Sequence, residues 1–239
     1  CNHYRKATDR FLAFVESQNV WDVEDIVASH VPDYIKTLLG YGYKSVEQQL
    51  CGLRCFLRFL ILENVSAQPL LDAVPIVKAR KQNRIPSVWT KENVEKLIQA
   101  IDRGNPSGKR DYAIILLAAR LGIRTLDIKR LKLTDLNWVD SRIELQVSKT
   151  GAMLHLPLLP DIGWAIIEYL KNGRPKVDSP YVFLRHLAPL EPFSDEDRLH
   201  QIIIKYMKVA RITISSKKRK GMHSLRHTLA SRLLAENTP

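Results

Sequence analysis

Apolar residues recur at helical spacing along most of this 239-residue chain and at strand spacing in only one region. Residues 143–147 alternate between apolar and polar, residues 154–158 do so again, and Lys149-Thr150-Gly151 separates them. A period of two places alternate side chains on one face of a strand. The pattern therefore predicts a mainly α fold that contains one small antiparallel β-hairpin, with Lys149 near its tip.

The N-terminal part, residues 1–76, shows only helical patterns. Apolar side chains within residues 11–15 lie at i, i+3 and i+4, the spacing that puts them on one helix face. We expect a further helix to begin after Ser45, with Ser45 as N-cap and Gln48 completing a capping box. Residues 1–76 are thus predicted to form a compact helical domain.

The C-terminal part differs in organisation. Residues 77–89 are basic, contain few large apolar side chains and are predicted to be an extended linker. Thr90 is a plausible N-cap for the first helix of a second domain over residues 90–239. Residues 111–121 are apolar nearly all round, which predicts a buried central helix, and Gly122 is expected to end it in a left-handed conformation.

The charge is strongly unbalanced, with 37 lysines and arginines against 25 aspartates and glutamates and a net charge of +12. Such an excess favours a polyanionic partner. Charge alone does not separate DNA from RNA or anionic lipid, and a solvated basic surface stays open. The residues we expect to contact phosphates are Arg54, Arg58, Lys78, Arg80, Lys81, Arg84, Lys217, Lys218, Arg219 and Lys220.

Two further features bear on the compartment. The longest uncharged apolar run, residues 112–119, is far too short to cross a bilayer, so no membrane partner is expected. Three cysteines are too few for a disulfide scaffold and favour a reducing, cytoplasmic setting. The chain starts at Cys1 without a methionine, and we interpret it as a fragment.

Four polar residues stand at the predicted boundaries of helices and strands: Arg124, Lys149, His223 and Arg226. His223 and Arg226 are three apart on a predicted helix and share a face, so both can reach one anion. The start of that helix adds a partial positive charge that favours phosphate. Arg124 could complete a clamp, because a guanidinium binds phosphate oxygens bidentately.

Each of these residues also has a structural interpretation. Arg124 could pair with Asp127 or Asp135, Lys149 could be one of the many lysines found at turns, and His223 could cap its helix. His223 and His227 are four apart, as in a zinc-binding helix, but Ser224 stands where a zinc protease carries glutamate. No third ligand is evident, and no metal site is predicted.

Taken in order, these motifs resemble those of the tyrosine recombinases, or phage integrase family. Gly122-Ile123-Arg124 followed by Asp127 is similar to the motif of the first catalytic arginine, with Ile for the usual Leu and Asp for the usual Glu. Residues 148–151 followed by a Leu-Pro-Leu strand resemble the family's β-hairpin lysine. His223-Ser224-Leu225-Arg226-His227 closely matches its His-x-Leu-Arg-His motif, and residues 45–62 resemble its core-binding domain.

The resemblance implies a helical SAM-like core-binding domain followed by a mixed α+β catalytic domain, closing on double-stranded DNA as a C-shaped clamp. It implies site-specific recombination or integration without metal or cofactor, as in mobile elements. Arg124 and Arg226 would grip the scissile phosphate, with His223 assisting as hydrogen-bond donor or acid/base. Lys149 would protonate the departing 5′ oxygen, and a tyrosine would form a 3′-phosphotyrosyl intermediate. Asp127 and His227 would support this set.

The family's tyrosine follows the His-x-x-Arg helix, whereas this chain ends at Pro239. Tyr112, Tyr169 and Tyr206 are predicted to be packed side chains rather than nucleophiles. We therefore expect the nucleophile in a segment after Pro239, so that this chain binds DNA without cutting it. The tetramer that the complete protein would form on DNA should be weakened here as well.

Two other classes of protein remain open. A recombinase-derived regulator that binds DNA without reacting would have the same motifs and the same fold. A basic helical RNA-binding protein is a weaker alternative, because the chain lacks the paired aromatic platform used for stacking single strands. Under the leading hypothesis the protein is cytoplasmic and nucleoid-associated.

Overall fold

The computed structural model describes residues 2–65, 68–77, 87–215 and 220–236, apart from the side chains of residues 2, 68 and 69. The chain divides into two compact units, Cys1–Arg84 and Ile85–Pro239. Most of the basic linker predicted over residues 77–89 lies outside the described residues. No described helix is long and apolar enough to cross a membrane.

The described part of the first unit is helical, as its apolar spacing predicts. The side chains of Phe11, Tyr34 and Leu53 are buried in its core, where the rings of Phe11 and Tyr34 meet edge to face with centroids 5.2 Å apart. The helices are α1 (Asn2–Ser17), α2 (His30–Thr37), α3 (Tyr43–Leu62) and α4 (Gln68–Asp72).

The start of α3 differs from the prediction. The helix begins at Tyr43, and its N-cap is Gly42, in an extended conformation and without a side-chain cap. The Gly42 carbonyl accepts from the backbone N–H groups of Ser45 and Val46, at 2.8 and 3.2 Å. The prediction that Ser45 is the N-cap was wrong, because the helix starts earlier, at a residue that caps through its backbone alone.

The second unit is built around a buried helix, α6. The residues from Ala113 to Ala118 are at most 1% exposed, as the apolar pattern predicts. Thr90 caps α5 as expected, its hydroxyl accepting from the backbone N–H of Asn93 at 3.3 Å. The helices are α5 (Lys91–Gln99), α6 (Pro106–Arg120), α7 (Thr125–Lys129), α8 (Pro160–Asn172), α9 (His200–Val209) and α10 (Met222–Ala235).

The predicted hairpin is confirmed and is part of a three-stranded antiparallel sheet in the order β1-β2-β3. The strands are β1 (Leu136–Asn137), β2 (Arg142–Gln146) and β3 (Met153–Pro157). In β2, Ile143 and Leu145 point into the core, 0% and 3% exposed. The strand β1 was not predicted, because two residues are too few to show an alternation.

Helix α6 carries charged residues near both of its ends. It has 15 residues, which corresponds to about 22 Å at about 1.5 Å per residue. Gly122, just beyond its end, has φ +61°, the left-handed conformation predicted for it, and the chain then turns into α7. Arg110 and Asp111 lie near the start of α6, and Arg124 lies just after its end.

The start of α6 tolerates no side chain at Gly108. A Cβ there would lie 1.7 Å from the carbonyl oxygen of Asp102, whereas a Cβ on Gly163 in α8 would meet only side chains, at 3.7 Å or more. We expect Gly108→Ala to lower the free energy of unfolding by about 1–3 kcal/mol. Gly163→Ala should leave it unchanged or raise it by up to about 1 kcal/mol. Urea titrations of both variants measure this, and equal midpoints would contradict the close approach.

Candidate functional site

Arg124 and Asp127 lie at the junction between α6 and α7, where the chain passes from one helix into the next. Arg124 is the N-cap residue of α7, in an extended conformation with φ −69° and ψ 147°. Its Nη1 lies 4.0 Å from Oδ2 of Asp127, and their side chains are 34% and 2% exposed. The pairing that the structural interpretation anticipated is therefore present. Arg124 nevertheless keeps an exposed side, and Asp135 instead accepts from the backbone N–H of Lys132 at 2.8 Å.

The carboxylate of Asp127 also holds the hairpin turn. Its Oδ1 accepts a hydrogen bond from the backbone N–H of Ser148 at 2.9 Å. Ser148 directly precedes Lys149, which is exposed in the turn between β2 and β3. Asp127 thus connects the segment that carries Arg124 to the segment that carries Lys149. Among the described residues, no hydrogen bond or ion pair occupies the Lys149 ammonium group.

Arg226 reaches the same junction from α10. Its Nη1 donates to the carbonyl of Gly122, 104 residues earlier in the chain. Burial, and after it the positive charge of Arg124, lowers the pKa of the Arg226 guanidinium, while the Asp127 carboxylate opposes that shift. The Arg226 guanidinium is therefore influenced by a second positive charge, that of Arg124, and by the buried carboxylate of Asp127.

His223 and His227 lie on the first turns of the same helix. Helix α10 begins at Met222 after the N-cap Gly221, close to the predicted start at His223. His223 and His227 are exposed, and Arg226 is partly buried. His223 and Arg226 are three residues apart on this helix and share a face.

The opposite side of α10 is anchored by a residue that sequence reasoning missed. The Thr228 hydroxyl accepts from the backbone N–H of Trp89 at 2.9 Å and donates to the carbonyl of Ser224 at 2.7 Å. Thr228 is 3% exposed. Because Trp89 lies 139 residues away in the chain, no local pattern could have indicated this contact. It fixes the rotation of α10 and hence the direction in which Arg226 points.

The basic residues predicted to contact phosphates have different surroundings. Nη1 of Arg54 donates to the carbonyl of Pro75 at 2.6 Å, which ties α3 to the segment after α4. Arg58 and Lys220 are exposed. The remaining seven lie outside the described residues: Lys78, Arg80, Lys81, Arg84, Lys217, Lys218 and Arg219.

The tyrosines predicted to be packed side chains are so. Tyr169 and Tyr206 are 0% and 3% exposed, and Tyr112 packs at the edge of the core of the second unit. The Tyr206 hydroxyl donates to Oδ2 of Asp111 at 3.1 Å, and the Tyr169 hydroxyl accepts from the backbone N–H of Leu184 at 3.3 Å. Within the described part of the chain, no group of three His, Cys, Asp or Glu side chains could hold a metal ion.

Known proteins resemble this chain along almost its whole length. The profile described as "Phage integrase family" matches residues 87–239. The protein y4rA of Sinorhizobium fredii, whose name assigns it provisionally to the integrases and recombinases, is 35% identical over 233 residues, covering 97% of this chain and 56% of that protein. Tyrosine recombinase XerC of Bacillus pumilus is 28% identical over 244 residues, 98% of this chain and 76% of XerC. The chain thus spans little more than half the length of y4rA.

Solved structures share the fold. The XerH site-specific recombinase bound to a palindromic difH substrate, in a post-cleavage complex, superposes with a TM-score of 0.73 at 16% identity, covering 100% of this chain and 69% of that one. A lambda integrase (75–356) dimer bound to a COC′ core site gives a TM-score of 0.69 at 17% identity, with 98% of this chain and 78% of the other covered. Identities this low support the fold alone. The profile match over residues 87–239 and the y4rA identity show more: the chain belongs to the phage integrase family of tyrosine recombinases.

Proposed function

We propose that this chain binds duplex DNA and activates a backbone phosphate for strand cleavage and rejoining through a 3′-phosphotyrosyl intermediate. The observation that carries the proposal is the pair of guanidinium groups of Arg124 and Arg226 at one junction. Three contacts support it: the Asp127 carboxylate beside Arg124, the Gly122 carbonyl under Arg226, and the hairpin turn held by Asp127. Two fixed guanidinium groups favour a phosphate more than any single surface charge does.

In this proposal, Arg124 and Arg226 bind the non-bridging oxygens of the scissile phosphate. Negative charge grows on these oxygens as the phosphorus becomes pentacoordinate, so donors that are already in place stabilise the transition state more than the ground state. Asp127 is a positioning residue. Its negative charge offsets the repulsion between the guanidinium groups, and its hydrogen bond to Ser148 keeps the hairpin turn beside them.

His223 and Lys149 handle the protons. A tyrosine oxygen forms the new bond to phosphorus, and the bond to the 5′ oxygen breaks. Lys149 gives the departing 5′ oxygen its proton, a role suited to an ammonium group on an exposed turn. His223 donates a hydrogen bond to the same phosphate or takes the tyrosine proton, and His227 supports it from the next turn. Rejoining is the reverse of these steps, with the 5′ oxygen as nucleophile.

We further propose that none of the eight tyrosines of this chain is the nucleophile, so that the chain binds duplex DNA without cutting it. The buried hydroxyl groups of Tyr169 and Tyr206 already have protein partners, which supports the proposal for these two residues. A regulator that binds without reacting is the alternative.

The proposed partners are double-stranded DNA and further copies of the chain. Solved relatives of the same fold include a lambda integrase tetramer bound to a Holliday junction and the lambda integrase dimer named above. The two compact units and the +12 charge support binding to one duplex by both units, as a clamp on DNA of the nucleoid.

Covalent adduct formation distinguishes an enzyme from a regulator. A library of nicked suicide duplexes is incubated with this chain and, in parallel, with the full-length product of its gene, with XerC of Bacillus pumilus on its own site as positive control. We expect the chain to shift the duplexes in a gel but to give no SDS-resistant adduct, and the full-length product to give one. An adduct on a tyrosine of this chain would show that one of its own tyrosines is the nucleophile. Binding without any adduct from either would favour the regulator.

The salt dependence of DNA binding tests whether Arg124 and Arg226 contact phosphates. The slope of log affinity against log salt is negative, and removing one phosphate contact should reduce its magnitude by about 0.9 for duplex DNA. We expect this of Arg124→Ala and of Arg226→Gln, which removes the charge and keeps a polar side chain. Arg142→Ala is the matched control, since Arg142 is exposed at the end of the hairpin away from the turn. Fluorescence anisotropy at several salt concentrations measures the slopes, and unchanged slopes would remove the arginines from the DNA surface.

Substitutions of Asp127 test whether its carboxylate holds the hairpin turn through the Ser148 N–H. Asp127→Ala leaves the Ser148 N–H without its acceptor, so the exchange of that amide should accelerate at least tenfold, and unfolding should require about 1–3 kcal/mol less. Asp127→Asn keeps an accepting oxygen and should preserve most of the protection. Hydrogen exchange followed by NMR measures both, and equal protection in all three proteins would show that Asp127 does not hold the turn.

A further inference from the structure

A second polar site lies near the start of α6. It is an open cavity of about 580 Å³ between the first residues of α6, the segment 185–199 and the start of α9. This volume is within the range of sites that bind small organic molecules, about 300–1,000 Å³. Helix α6 places about 15 Å between Arg110 and its last residue, Arg120, and Arg124 lies beyond that end. None of the candidate catalytic residues lines the cavity.

The cavity wall carries an excess of positive charge. Four cationic side chains line it, and they face two carboxylates, Asp111 and Asp197. The cations are Arg110, Arg185, Arg198 and Lys205.

Both carboxylates are already occupied. Asp111 is 2% exposed and accepts from Arg110 at 2.7 and 3.0 Å and from the Tyr206 hydroxyl at 3.1 Å, with Lys205 at 3.5 Å. Asp197 accepts from the backbone N–H of Ser194 at 2.7 Å. With two carboxylates against four cations, the wall keeps a net positive charge.

Arg198 and Arg185 keep guanidinium donors available. Arg198 is exposed on the wall, and within the described part of the chain no carboxylate pairs with it. Arg185 reaches Asp197 only at 3.8 Å. Two guanidinium groups that face one cavity with spare donors match an oxyanion with several oxygens.

The wall that carries Arg198 is held in place from behind. Lys129 is buried, and its Nζ donates to the carbonyls of Ser194 and Asp195 at 2.8 and 3.2 Å. Nη2 of Arg130 bonds both carboxylate oxygens of Asp195, at 3.0 and 2.9 Å. A wall that is already held in place loses little conformational entropy when a ligand enters, and this favours ligand binding.

Apolar side chains complete the lining. Leu187, Phe193 and Ile202 contribute to it, and Arg110 lies over the Phe193 ring, 5.2 Å from its centroid. An inorganic anion alone would leave these side chains without contacts, whereas an organic group attached to the anion would cover them.

We propose that this cavity binds a small organic phosphate, with Arg185 and Arg198 on the phosphate and Leu187 and Phe193 against the organic part. The ligand is a molecule of nucleotide size rather than the backbone of the DNA substrate. The site is independent of strand cleavage, since none of its residues belongs to the Arg124, Lys149, His223 and Arg226 set.

Isothermal titration with ADP at constant ionic strength tests the proposal, with pyrophosphate as the same kind of anion lacking an organic part. We expect saturable binding of ADP and weaker binding of pyrophosphate. Arg185→Ala and Arg198→Ala should each weaken ADP binding at least about tenfold, the value of one charged hydrogen-bond pair. Arg142→Ala, exposed and outside the cavity, should leave it unchanged. Arg110 is left intact because its loss would strand the buried Asp111 carboxylate.

Thermal unfolding of each variant shows that it is folded, and duplex DNA affinity is measured on the same samples. We expect Arg198→Ala to bind DNA as the unaltered chain does. Absence of saturable ADP binding, equal affinity for ADP and pyrophosphate, or unchanged ADP binding in both arginine variants would overturn the proposal. A parallel loss of DNA affinity in Arg198→Ala would also overturn it, because the cavity would then be part of the DNA surface. These readouts do not depend on cleavage, so the proposed recombinase function can fail or hold separately.

Discussion

The candidate catalytic site depends on the burial of one charge, the carboxylate of Asp127. A charge that is 2% exposed is tolerated only when groups around it replace the water it has lost. Here those groups are the Arg124 guanidinium, the backbone N–H of Ser148 and the nearby positive charge of Arg226. The contacts of this carboxylate join the segment after α6 to the hairpin turn, and α10 reaches the same place through the hydrogen bond of Arg226 to the Gly122 carbonyl.

Helix α6 gives the second unit two charged ends separated by an apolar middle. Its central residues are buried, so polar side chains can gather only at its ends. Each end has a buried aspartate with arginine beside it: Asp111 with Arg110 at the start, and Asp127 with Arg124 beyond the end. The two clusters differ in what remains open. At the far end a second guanidinium group, that of Arg226, lies near the pair of Arg124 and Asp127, whereas at the near end a cavity opens between cations and an apolar wall.

Much of the local structure could be predicted because its causes are local. The period-two alternation of residues 143–158 specifies the hairpin, and Thr90 caps α5 through a partner three residues away. The left-handed Gly122 follows from the end of an apolar helix. The error at Ser45 arose because Gly42 supplies the same cap geometry without a side chain. A sequence pattern does not reveal an N-cap that uses only the backbone.

The sequence by itself determined the residues that carry charge at the boundaries of helices and strands, their order, and the family to which those motifs belong. Only the tertiary structure decided which of them meet. The contact of Arg226 with Gly122 and that of Thr228 with Trp89 span 104 and 139 residues, and both depend on how α10 packs against the rest of its unit. The cavity beside Asp111 is likewise formed by segments far apart in the chain. Spacing along a chain encodes faces and caps, but convergence of distant side chains is set by the packing of the core.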